Sequence, residues 1–88
     1  MKKVVLTPEE IKTMADAHRV LARELSFPDW YGFNLDALHD CLTDISEETV
    51  ILLDNPKGLA ENLGECFPRL TEVLTVSAKE NRHLSFSD

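Results

Sequence analysis

Three short strand-like segments, two of them apolar runs and one alternating, lie far apart along the chain and constrain the fold more than any other feature. Val4-Val5-Leu6, Thr49 to Leu53 and His83-Leu84-Ser85-Phe86 each have the length and pattern of a strand. The segments between them are too long for hairpin turns. They carry apolar residues three and four apart, the period of a helix. Strands separated in this way pair in parallel through right-handed crossovers. The predicted order is strand, two helices, strand, two helices, strand: an α/β fold with a three-stranded parallel sheet covered by helices. A chain of 88 residues holds one such domain and not two, so residues 1–88 are expected to form a single domain. The two runs Val4–Leu6 and Thr49–Leu53 are continuous in apolar character, which predicts buried strands.

Helix signals fill the gaps. Thr7-Pro8-Glu9-Glu10 offers one start, with Thr7 as cap and Pro8 in the first position. Thr13, with Asp16 three residues on, is a stronger one. From there Met14, Ala17, His18, Leu21 and Leu25 form a stripe that must end before Pro28. Ser26 to Phe33 is a loop that carries Phe27, Trp30, Tyr31 and Phe33 around Gly32, and one of Trp30 and Tyr31 is expected to be buried. Asn34 then caps a second helix whose inner face is Leu35, Leu38, Leu42 and Ile45, with Cys41 at its edge. Gly58 to Gly64 predicts a short helix. A longer one follows from about Glu65 to Asn81, with Pro68 in its first turn.

Charge is distributed unevenly over this framework. The net charge is −7, and no Lys or Arg occurs between Glu24 and Pro56. That stretch holds Glu24, Asp29, Asp36, Asp40, Asp44, Glu47, Glu48 and Asp54, eight of the 16 acids. So acidic a balance excludes phosphate-directed binding to nucleic acid or to an anionic membrane, and points to a basic partner. Asp36, Asp40 and Asp44 recur every four residues, so they stack on one side of the second helix, opposite Leu35, Leu38 and Leu42. Each like-charge pair costs an isolated helix roughly 0.2–0.5 kcal/mol. A sequence shaped only by stability would place a Lys at position 40 or 44. A local rule broken beside an aromatic loop marks a binding face.

Catalytic chemistry has little support. Asp36, His39 and Asp40 could be imagined as an acid–base set, or as metal ligands with His18 or His83. Adjacent residues such as His39 and Asp40 diverge by about 100° around a helix. No phosphate loop, HExxH or nucleophile motif is present, so neither enzymatic activity nor a metal or cofactor is expected. Cys41 and Cys66 lack metal-ligand spacing and are expected as reduced thiols. No segment has the pattern of a signal peptide or a membrane span, so a cytoplasmic chain, monomeric when free, is expected.

One continuous stretch, Pro28-Asp29-Trp30-Tyr31-Gly32-Phe33-Asn34-Leu35-Asp36-Ala37-Leu38-His39-Asp40-Cys41-Leu42-Thr43, resembles the signature of the barstar family. The resemblance extends more loosely over the rest of the chain. It implies a three-stranded parallel sheet with helices, and inhibition of basic extracellular ribonucleases of the barnase type before their export. In such proteins the second helix and the loop before it enter the nuclease active site. The resemblance assigns Asp40 as the central anion, where a substrate phosphate would sit, and Asp36 to cations at the edge. It sets Trp30, where the family has Tyr, over a catalytic histidine, and places Gly32, Asn34, Leu35 and Thr43 along the contact. His39 stands where the family's namesake has Trp. Val76 aligns with a Glu of the last helix there, with Glu72 and Glu80 one turn to either side. These departures, with the apolar Phe33, imply a partner other than barnase itself, either a related ribonuclease or the nuclease domain of a toxin. An acidic adaptor for some other basic protein is the alternative reading.

Overall fold

A computed structural model describes residues 1–87. In chain order the elements are β1 (Lys2–Leu6), α1 (Met14–Leu25), α2 (Leu35–Thr43), β2 (Thr49–Leu53), α3 (Pro56–Leu63), α4 (Cys66–Glu80) and β3 (Leu84–Ser87). The three strands lie in the order β1-β2-β3 and both pairings are parallel. Val4 sits opposite Ile51, and Ile51 opposite Phe86.

This strand order decides which face is covered. Both crossovers step in the same direction across the sheet, so two right-handed connections lay their helices on the same side. Val4, Leu6, Thr49, Ile51, Leu53 and Leu84 point to that side and are buried. On the other side Lys3, Val5 and Ser85 are exposed, and Val50 and Leu52 are half-buried. The strands are therefore buried on one face only, against the expectation drawn from their continuous apolar runs. The core joins this inner face to Ile11, Leu21, Leu38, Leu42, Leu59 and Leu74, all fully buried.

Local signals set the helix ends. Thr13 and Asp16 make a reciprocal capping box at α1, and Ser26 closes that helix in the left-handed conformation, φ 56°. The Thr7-Pro8 signal produces only a turn, in which Ile11 N donates to Thr7 O at 2.9 Å. The Asn62 amide takes the carbonyls of Pro8 and Ile11 at 2.9 and 3.0 Å, which fixes this segment against α3 instead of letting a helix propagate. Helix α3 begins two residues before Gly58, because Asn55 caps it from a left-handed conformation and Pro56 occupies its first position. Gly64 joins α3 to α4 at φ 58°, where a side chain would be strained.

Candidate binding face

The loop before α2 is a packed platform. Tyr31 is buried, and its ring lies 4.9 Å from Phe27, 5.5 Å from Phe33 and 5.7 Å from His18, centroid to centroid. Its hydroxyl meets His18 Nδ1 on α1 at 2.6 Å. Burial pushes the imidazolium of His18 toward its neutral form and holds the Tyr31 phenol protonated, so the phenol donates and the neutral ring accepts. Tyr31 N also donates to Pro28 O at 3.0 Å. Of the adjacent aromatic pair, Tyr31 is therefore the packed member. Trp30 is 79% exposed. Phe33, at the outer edge of the platform, has φ 51°, an uncommon conformation for an aromatic residue, and is partly exposed.

Asn34 converts the loop into a helix. Its Oδ1 accepts from Ala37 N at 2.8 Å and its Nδ2 donates to Gly32 O at 3.2 Å. A Cβ on Gly32 would come within 3.1 Å of that Nδ2, so Gly32 leaves room for the cap. Leu38 and Leu42 bury α2 against the core, while Leu35, Ala37 and Cys41 pack at its margin. Burial, reinforced by Asp40 and Asp44, pushes the Cys41 thiol up and keeps it protonated.

The opposite face of α2 carries Asp36 and Asp40, with Asp44 as its C-cap, and all three are exposed. Among the described residues none of them pairs with Lys or Arg. The arginine ion pairs gather around α1 instead, as Arg19–Asp16, Arg23–Glu10 and Arg23–Glu24. Thr43 directs its hydroxyl back to the carbonyls of His39 and Asp40 at 2.9 and 3.2 Å.

His39 links α2 to α4. Its Nε2 lies 2.6 Å from Glu80 Oε1, and its Nδ1 lies 3.9 Å from Asp40 Oδ1. Val76, one turn before Glu80 on α4, is exposed, so it is not a core residue. The structure thus brings Trp30, Gly32, Asn34, Asp36, His39 and Asp40 onto one loop and helix, with Leu35 and Thr43 half-buried at its edge. Sequence reasoning missed the bonds His18–Tyr31 and His39–Glu80. Both join residues distant in the chain, and only the polar His18 within an apolar stripe hinted at either.

The three histidines are held apart by different partners: Tyr31 for His18, Glu80 for His39, and Glu48 for His83 at 2.9 Å. They do not converge as a ligand set, and among the described residues no three His, Cys, Asp or Glu side chains are placed to hold a metal ion. No helix among them is long and apolar enough to cross a membrane.

Residues 1–87 match the sequence pattern of the family described as Barstar (barnase inhibitor). The chain is also 44% identical, over 81 residues, to a Bacillus subtilis (strain 168) protein named "Putative ribonuclease inhibitor YrdF"; the alignment covers 91% of this chain and 89% of that one. That pattern spans almost the whole chain, and the chain belongs to the barstar family.

Proposed function

We propose that this chain inhibits a basic microbial ribonuclease by covering its active site with α2 and the loop before it. The observation that carries the proposal is the state of Asp36 and Asp40. Two exposed carboxylates stand on a capped, core-anchored helix with no Lys or Arg of the described chain neutralising them. A ribonuclease must present Arg, Lys and His to the phosphates of RNA. Carboxylates at fixed helical spacing imitate those phosphates and accept charge-assisted hydrogen bonds from the same cations.

Asp40 is the central anion in this reading and Asp36 the edge contact. Trp30 supplies apolar area beside them, as interface anchors do. Gly32, Asn34, Leu35, His39 and Thr43 shape the surface around these three. Preorganisation lowers the cost of binding, and here it has visible sources in the Asn34 cap and the Tyr31–His18 bond. The family match and the name of the Bacillus subtilis relative support ribonuclease inhibition as the activity. The family's residue roles, the changes at His39 and Val76, and the acidic face support a ribonuclease or toxin nuclease domain other than barnase as the partner.

Titration calorimetry against a panel of small basic microbial ribonucleases, barnase included, tests the proposal. Stoichiometric binding that abolishes RNA cleavage is the expected result. The association rate should fall steeply with ionic strength while the dissociation rate changes little. Binding to basic proteins in general without loss of nuclease activity would favour the adaptor reading and overturn this one.

A further inference from the structure

The His39–Glu80 contact determines what the acidic face can receive. The Glu80 carboxylate only accepts hydrogen bonds, so the ring nitrogen 2.6 Å from it, Nε2, carries the proton of the neutral imidazole. Nδ1 is then a lone-pair acceptor. It sits 3.9 Å from the Asp40 carboxylate, and the two side chains are 37% and 86% exposed. A neutral acceptor and an anionic one therefore stand side by side on the outer face of α2, in an orientation set from α4.

We infer that His39, held by Glu80, is a specificity-determining residue that joins Asp40 in receiving one arginine guanidinium of the partner. This inference rests on the ribonuclease reading above. A guanidinium offers its N–H groups as a rigid planar fork and suits two neighbouring acceptors, whereas a Lys ammonium engages Asp40 as a point charge. Glu80 is a positioning residue: it selects the tautomer and directs the ring.

Acid pH reverses the arrangement. The charged groups facing His39 are Asp40 on its own helix, with Asp36 one turn before it, and Glu80 on α4; among the described residues none of these pairs with Lys or Arg. Once protonated, Nδ1 becomes a donor. It then turns its N–H to Asp40 and repels the incoming guanidinium. Affinity should therefore be lower at acid pH than at alkaline pH.

The test compares the parent, His39→Ala, Glu80→Ala and Glu80→Gln against a ribonuclease of the panel that the parent binds. At pH 8 His39→Ala should weaken binding by about tenfold, and that loss should shrink as the pH is lowered. Taking the difference from the parent cancels the titration of the nuclease itself. Nitrogen-15 NMR of the free parent at pH 8 should show His39 protonated on Nε2. Glu80→Ala should mix the tautomers, and Glu80→Gln, which keeps an acceptor, should restore them. An unchanged pH profile in His39→Ala, or a proton on Nδ1 in the parent, overturns the inference. If Asp40→Ala weakens binding while His39→Ala does not, this inference falls and the ribonuclease reading stands. If the parent binds no member of the panel, both fall.

Discussion

Removing the side chain of Asn81 should cost this fold about 3 kcal/mol, although Asn81 lies in neither the core cluster nor the acidic face. Asn81 follows α4 and is 6% exposed. Its amide nitrogen donates to Leu42 O at 2.9 Å and Ile45 O at 2.8 Å, and its amide oxygen accepts from His83 N at 2.9 Å. One side chain therefore ties the end of α2 to the start of β3. Asn81→Leu keeps much of the volume and removes all three bonds. A hydrogen bond contributes about 1 kcal/mol net, and stranding a buried partner costs about 1–3 kcal/mol. Leu42 O is partly compensated, because Ile45 N also reaches it at 3.4 Å. The sum is roughly 2–4 kcal/mol, a large share of the 5–15 kcal/mol typical of a whole domain. Urea unfolding followed by far-UV circular dichroism measures it. Trp30 fluorescence is a poor reporter, since that ring is already in water in the folded state. Asn81→Asp at neutral pH should lose at least as much, because it sets carboxylate lone pairs against two carbonyls. A loss below about 1 kcal/mol in Asn81→Leu, with unchanged m, would refute the reasoning.

Asp40→Ala should leave the free protein equally or more stable, by up to about 1 kcal/mol, because it removes like-charge neighbours and raises helix propensity. The same change should weaken ribonuclease binding by roughly 2–5 kcal/mol, mostly in the dissociation rate. Trp30→Ala should shift stability by less than about 0.5 kcal/mol, in keeping with its exposure, yet accelerate dissociation. Burial lowers the folded-state pKa of His18, so its contribution to stability is complete above the ordinary histidine range and is lost as pH falls through it. His18→Gln should flatten the pH dependence of stability in that window; an unchanged slope between pH 7 and 5 would place the titration elsewhere. Val76→Glu should leave the fold intact, as an exposed site permits, and tighten binding to barnase; a large drop in melting temperature would mean that Val76 packs more closely than its exposure implies.

The recurring apolar positions, the cap residues and the charge gap from Glu24 to Pro56 lie in local sequence, and they suffice for a parallel α/β fold with an acidic second helix. The Thr13–Asp16 box and the Asn34 cap are legible because their partners lie three residues away. The Asn55 cap was missed: a left-handed cap before Pro leaves no periodic signal of its own, and α3 accordingly starts earlier than the Gly58 prediction. The resemblance carried by Pro28 to Thr43 supplied the candidate roles of Asp36 and Asp40, which charge spacing alone left as an acidic stripe.

Tertiary structure decided the rest, through contacts that join distant parts of the chain. Continuous apolar runs at β1 and β2 are compatible with burial on one face or on two; only the strand order, with both crossovers stepping the same way, leaves Val5 exposed. Composition gives Trp30 and Tyr31 equal claims to the core. The chance of a hydroxyl reaching His18, thirteen residues earlier, sends Tyr31 inward and leaves Trp30 outside. His39 beside Asp40 is in sequence an ordinary surface pair; packing α4 against α2 supplies Glu80 and decides which nitrogen of the ring lies beside Asp40. Local sequence determines periods, caps and charge because these act within a turn or two. It cannot determine which polar groups meet across the fold, because that depends on how the helices dock, and docking is settled by the core as a whole.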